Sequence, residues 1–108
     1  MTGRPPLSAF IRTKNEARLI GEVVRAARLV ADEVIVVDSG SSDDTVAIAE
    51  AAGARVVHQA WLGNGRQKRF AEDQCRHAWL LDLDADEVVT PALAAEIVAL
   101  FANGAPPV

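Results

Sequence analysis

Between Asp82 and Glu87 the sequence DLDADE places four carboxylates, Asp82, Asp84, Asp86 and Glu87, within six positions, directly after an apolar run. Carboxylates this close repel one another unless a cation or protons intervene. In an extended strand, residues two apart face the same side, so Asp82 and Asp84 share a face and Asp86, on the following loop, is free to turn inward. Hard oxygen ligands of this kind suit Mg²⁺ or Mn²⁺, and one or two carboxylates suffice where phosphate oxygens complete the shell. The stretch fits a divalent metal bridging the protein to a diphosphate. It fits as well a strand end and helix approach that acids merely solvate.

A second carboxylate with the same grammar is Asp38, which closes the run VIVVD and is followed by Ser39-Gly40-Ser41-Ser42. There it can accept an N–H from a flat polar ligand, a nucleobase or ribose, while the small residues let that ligand approach the backbone. Taken alone, an Asx turn or helix cap is the simpler reading. Thr13, Lys14, Asn15 and Glu16 close the first apolar run and offer either a capped turn or one wall of a base pocket. Lys68 and Arg69, early in a later helix, can offset phosphate or simply stand in solvent.

Other chemistries are excluded by spacing. An EF-hand calcium loop counted from Asp82 needs Gly at its sixth position and an acid at its twelfth, where this chain has Glu87 and Leu93. A phosphatase of the haloacid dehalogenase type carries its paired aspartates on the first strand, whereas here they follow the fourth. Gly63-Asn64-Gly65 lacks the third glycine of a dinucleotide fingerprint, and a Walker loop is absent. His58 and His77 have no metal-ligand spacing and read as surface or strand-edge residues. Cys75 has no neighbouring base and reads as a small buried apolar residue, and Trp61 and Trp79 read as core rather than as a ligand platform.

The elements that must position these residues follow from periodicity. Leu7 to Thr13 is strand-like, and Asn15 is a candidate cap for a helix from Ala17, in which Ile20, Val23, Val24, Ala27 and Val30 keep helical spacing. Val34 to Val37 lacks polar alternation, as expected of a strand covered on both faces. Ser41 or Ser42 is expected to cap a second helix carrying Asp43 and Asp44 in its first turn, with Gly53 ending it. Ala54 to His58 is a third strand, and the Trp61 to Gly65 loop leads into a third helix from about Arg66 to Arg76. Ala78 to Leu83 is the fourth strand, and Thr90-Pro91 starts a helix over Ala92 to Ala102. The order βαβαβαβα predicts a Rossmann-like α/β layer with a mostly parallel sheet flanked by helices, which binds ligands beyond the carboxyl ends of its strands. Asp38, Asp84 and Asp86 all belong on that rim.

Bulk properties agree. A chain of 108 residues, half of it apolar, can bury one modest core. A net charge of −4 without a long basic run argues against a nucleic-acid partner. One cysteine excludes an internal disulfide. The lack of a signal peptide or a membrane-spanning apolar run predicts a cytoplasmic location. Residues 1–6 read as a disordered tail, 7–104 as the domain and 105–108 as a truncated tail, leaving a sheet edge to be covered.

The stretches IRTKNEARLI, VIVVDSGSSDDT, GNGRQKRFA and LLDLDADEVVT, in this order from Leu7 to Leu100, together resemble the amino-terminal half of a family 2 glycosyltransferase with the GT-A fold. They are most similar to the bacterial branch that adds a hexose to the lipopolysaccharide core of the cell envelope. The resemblance implies a UDP-sugar donor, with Asp38 at the uracil, Thr13 and Glu16 at the base and ribose, and Lys68 near the nucleotide. It implies that Asp84-Ala85-Asp86 is the family's DXD motif, Asp86 coordinating Mn²⁺ or Mg²⁺ and Asp84 meeting the ribose or a metal-bound water. An inverting transfer to a glycan or lipid-linked core acceptor follows, at the inner face of the cytoplasmic membrane, with membrane contact made by residues this chain lacks. In similar enzymes the general base comes after the point where this chain stops, so the resemblance assigns no catalytic base. A catalytically silent nucleotide-binding or interaction module is the alternative it leaves open.

Overall fold

The computed structural model describes residues 6–85, together with Ala92, Ala95, Glu96 and Ala99, which are helical. Asp86, Glu87, Thr90, Pro91 and most of the expected fourth helix lie outside the described residues, as do the two tails except for an exposed Pro6. The elements run β1 (Leu7–Thr13), α1 (Ile20–Ala27), β2 (Glu33–Asp38), α2 (Thr45–Ala52), β3 (Arg55–His58), α3 (Asn64–Gln74) and β4 (Trp79–Asp84). All strand pairs are parallel, in the order β3-β2-β1-β4.

That order explains the residue types. The central strands β1 and β2 are covered on both faces and are buried almost throughout, with their apolar residues at the centre of each strand. On one face Ala9, Ile11, Val34 and Val36 pack with Ile20, Val23 and Val24 of α1 and Ala49 and Ala52 of α2. On the other, Phe10, Ile35 and Val37 pack against Ala71 and the partly buried Phe70 of α3. Strand β4 alternates instead: Leu81 and Leu83 pack on the α1 and α2 side, while Leu80, Asp82 and Asp84 are exposed on the other. The chain winds from β1 through β2 to β3, then crosses back by way of α3 to place β4 on the far side of β1, as a doubly wound sheet requires.

The amino end of the sheet is pinned by Glu33. Its carboxylate accepts the Ser8 hydroxyl at 2.7 Å, the Arg76 N–H at 2.8 Å and an Arg55 guanidinium N–H at 3.4 Å. Burial pushes the Glu33 pKa up, but the Arg76 N–H, the Ser8 hydroxyl and Arg55 outweigh it, and the carboxyl titrates below its ordinary value. These contacts hold the turn between α3 and β4 against β1. No helix among the described residues is long and apolar enough to cross a membrane.

Two outcomes test this packing. Ile35 is fully buried, so Ile35→Ala should lower unfolding free energy by about 2–5 kcal/mol, whereas Leu29→Ala, at a 76% exposed position, should stay within about 0.5 kcal/mol; urea titration measures both. Because the folded Glu33 pKa is depressed, its stabilisation is complete above the unfolded value and is lost as pH falls through the folded one. Melting temperatures recorded from about pH 6 down to pH 3 should fall less steeply in Glu33→Gln than in the parent chain.

Candidate functional site

Parallel registers pair Thr13 with Asp38, Asp38 with His58, and Arg12 with Asp84, so the strand ends stand in a row on one rim. The winding direction reverses between β1 and β4, which opens the crevice where ligands of such sheets bind. A cavity of about 490 Å³ lies there. Strand β1 and the turn after it supply Arg12, Thr13 and Lys14, β2 is followed by Ser39, and β4 supplies Asp84. Trp61, Asn64 and Gln67 close the side formed by α3 and the loop before it.

Asp38 is 3% exposed, and its carboxylate shapes its own loop. One oxygen accepts the N–H groups of Gly40 at 3.0 Å and Ser41 at 2.8 Å, and the other accepts the Ser41 hydroxyl. Gly40 has φ +118°, a conformation that favours glycine. This is the Asx turn that the residue types allow, and carboxylate lone pairs remain for a further donor.

The neighbouring loop is locked to it. Asn15, at φ 55°, donates its N–H to Ser41 Oγ at 2.8 Å and accepts the Ser42 N–H at 2.8 Å on Oδ1. The Glu16 N–H donates to Thr45 Oγ1 at 2.9 Å. Asp43 accepts the Thr45 N–H at 3.0 Å, the Thr45 hydroxyl and the Ala17 N–H at 3.3 Å. The Thr45 hydroxyl is the main cause that holds the Asp43 carboxyl below its ordinary range.

These bonds correct three expectations. Asn15 does not cap α1, which begins at Ile20 rather than Ala17, because its side chain is committed to the next loop. Ser41 and Ser42 do not cap α2, for the same reason. Asp43 and Asp44 precede α2 rather than occupying its first turn. Gly53 does end α2, in the left-handed conformation.

Thr13 is 6% exposed, lines the cavity, and its Oγ1 has no hydrogen-bond partner among the described residues. A buried hydroxyl left unpaired costs about 1–3 kcal/mol, which a ligand atom at that position recovers. Glu16 is half-buried and stands behind the cavity rather than in its lining. Lys68 is exposed, with Nζ 4.0 Å from Asp82, and is likewise outside the lining. Asp82 shares its strand face with Asp84, as expected, but serves as counter-ion to Lys68 and to Arg12, whose guanidinium lies 3.4 Å away. Arg12 also donates to the Asn64 carbonyl at 3.3 Å, which ties β1 to the start of α3.

Asp84 brings a carboxylate to the cavity, while Asp86, the expected direct metal ligand, lies outside the described residues. Among the described residues no group of three or more His, Cys, Asp or Glu could hold a metal ion. Asp84 is then the one carboxylate that the described lining offers a hard divalent cation, which would need ligand phosphates to complete its shell and to offset the nearby Arg12 and Lys14.

Arg12, Asn64 and Gln67 line the cavity without having been singled out from the sequence as site residues, whereas Ser39 lines it as one of the small residues expected to let a ligand approach. Asn64 and Gly65 were read as loop but open α3, which runs from Asn64 to Gln74 instead of from about Arg66 to Arg76. Trp61 was read as core and is 57% exposed at the cavity. A tryptophan beside Leu62 in a glycine-rich loop was the available signal. Trp79 packs against the core as expected. His58 is exposed at the edge strand, and His77 is half-buried with its N–H on Ser8 Oγ at 3.3 Å. Cys75 is half-buried, packs beside Phe10, Ile35 and Val37, and is pushed up to about 11 by burial, so its thiol is inert at neutral pH.

The glycosyl transferase family 2 model matches residues 8–106. An uncharacterized glycosyltransferase of Rickettsia felis is 52% identical over 97 residues, covering 90% of this chain and 34% of that protein. The lipopolysaccharide core biosynthesis glycosyltransferase LpsC of Rhizobium meliloti is 39% identical over 98 residues, covering 86% of this chain and 36% of that protein. The glucosyl-3-phosphoglycerate synthase of Mycobacterium tuberculosis, in its crystal structure with Mg²⁺ and UDP, superposes with a TM-score of 0.75 at 28% identity, over 93% of this chain and 40% of that one. The chain thus spans about a third of the length of these curated relatives. With a crevice at the switch point of a parallel sheet and a family match over nearly its whole length, the chain belongs to glycosyl transferase family 2, with the GT-A fold.

Proposed function

We propose that this chain is the donor-binding part of a hexosyltransferase that uses a UDP-sugar and a divalent cation, Mn²⁺ or Mg²⁺, and inverts the anomeric centre. The observation that carries the reading is the cavity at the strand ends, where buried Thr13 Oγ1 lacks a partner among the described residues and Arg12, Lys14 and Asp84 share the lining. Support comes from the Mycobacterium tuberculosis synthase, whose structures hold UDP with Mg²⁺, UDP with Mn²⁺, and UDP-glucose with Mn²⁺.

In this reading the Asp38 carboxylate accepts the uracil N–H, and Thr13 and Glu16 serve the base and ribose. Asp84 meets the ribose or a metal-bound water, Asp86 coordinates the cation, and Lys68 exchanges its distant partner Asp82 for the nucleotide. When bound, the cation supplies positive charge that offsets the charge building on the departing UDP. In this reading the acceptor is a glycan or lipid-linked core, by analogy with LpsC, and transfer takes place at the inner face of the cytoplasmic membrane. No general base is assigned. Transfer needs such a group positioned in the same pocket, and a catalytically silent nucleotide-binding module is the second reading.

Thermal melts test the donor assignment. UDP at 100 times its Kd should stabilise the chain by about 2.7 kcal/mol in Mn²⁺ and far less in chelator, with ADP a poorer ligand. Asp38→Asn keeps an oxygen for the loop but turns an N–H toward the base, and should weaken UDP about tenfold or more. Metal-dependent stabilisation indifferent to both the base and Asp38→Asn would sink this reading in favour of a phosphate-handling domain. UDP binding without sugar transfer or UDP-sugar hydrolysis, even with the remaining family sequence supplied in the same polypeptide, would favour the silent module.

A further inference from the structure

Trp61 stands out among the residues that the proposed donor chemistry leaves unused. It is 57% exposed, although a tryptophan is among the side chains that gain most from burial. Its loop is nevertheless fixed at every step. The Gln59 N–H donates to the Asp38 carbonyl at 2.9 Å, tying the start of the loop to the strand that carries Asp38. Gln67, 1% exposed, spends its whole amide on the loop: Nε2 donates to the Gln59 carbonyl at 3.0 Å, and Oε1 accepts the Leu62 N–H at 3.0 Å. Gly63, at φ +97°, then turns the chain into α3.

A buried glutamine clamping both sides of a short loop, with an indole left at a cavity wall, is the arrangement of a rigid platform rather than of a core residue out of place. The same cavity is lined by Thr13 with its unpartnered Oγ1 and by Ser39, which follows Asp38 directly. An indole offers its face to any planar ring, and aromatic stacking is tolerant of ring identity where the edge contacts are not.

We infer that Trp61 is a stacking platform for the nucleobase of the donor, with Gln67 as its positioning residue. This rests on the donor reading above, in which Asp38 recognises the base edge. Edge and face then have separate hosts: Asp38 selects the base, and Trp61 supplies affinity shared by other flat bases. Gln67 acts through the loop, its amide already paired with Gln59 and Leu62.

The test uses the Trp79→Phe chain, which leaves Trp61 as the sole tryptophan, titrated with UDP in Mn²⁺ by fluorescence and by calorimetry. The expected result is saturable quenching of Trp61 with the calorimetric Kd. Trp61→Ala should weaken UDP about five- to a hundredfold, with Trp61→Phe restoring most of the affinity. Gln67→Ala should weaken UDP while broadening and red-shifting Trp61 emission in the free chain, a change that a ligand-contacting role would not produce. UDP binding that depends on Asp38 but leaves Trp61 emission unchanged and Trp61→Ala within twofold of the parent would overturn the inference while the donor reading stands. No UDP binding to a folded parent chain would overturn both.

Discussion

Strand β1 hydrogen-bonds in parallel to β2 on one side and to β4 on the other, and the two registers set Thr13 beside Asp38 and Arg12 beside Asp84. A parallel sheet cannot close such pairs through hairpins. Each return needs a crossover, and the apolar faces of β1 and β2 are what hold α1 and α2 on one side and α3 on the other. A slip of one residue in either register would send core side chains to the opposite face of the sheet and shift an aspartate along the rim. The site is therefore a consequence of core packing.

On that frame the loops are joined to each other more than to their own helices. Asn15 reaches from the first loop to Ser41 and Ser42 of the second, Ser41 is held in turn by Asp38, and Asp43 returns to Ala17. The Gln59 N–H on the Asp38 carbonyl extends the same web to the third loop. Three loops that meet at Asp38, two through its carboxylate and Ser41 and one through its carbonyl, are preorganised around it, which reduces the ordering cost of binding. Beneath α3, Asp82 draws Arg12 and Lys68 toward β4. These pairs are partly exposed, and such ion pairs are worth about 0–1 kcal/mol, so they steer the cations without fixing them.

Strand positions were legible in the sequence because burial on both faces leaves little freedom of residue type: Leu7 to Thr13 was read as the strand it is, and the run at Val34 is the centre of β2. The helix starts were not. Asn15, Ser41, Ser42 and Asp43 are good capping types, but they are spent across loops, and a pattern read along the chain registers capacity for a hydrogen bond and not its partner. Asp38 and Asp84 were found on the rim because a carboxylate at the end of an apolar strand has few other places to go. Trp61 was misplaced because hydrophobicity predicts burial only in one direction. Gln67 left no trace, its role being defined by two backbone groups of a loop whose shape the sequence does not encode locally.

The central claim is that the carboxyl rim of this sheet holds a UDP moiety between the ends of β1, β2 and β4. The most direct measurement is a backbone amide NMR titration of the chain with UDP in Mg²⁺, which avoids paramagnetic broadening. The account predicts saturable shift changes at Thr13, Lys14, Ser39 to Ser41, Asn64 and Asp84, with Asp32, Gly53 and Arg76 unmoved. Changes concentrated at Asp32, Gly53 and Arg76 would contradict it, as would a folded chain whose rim amides do not respond.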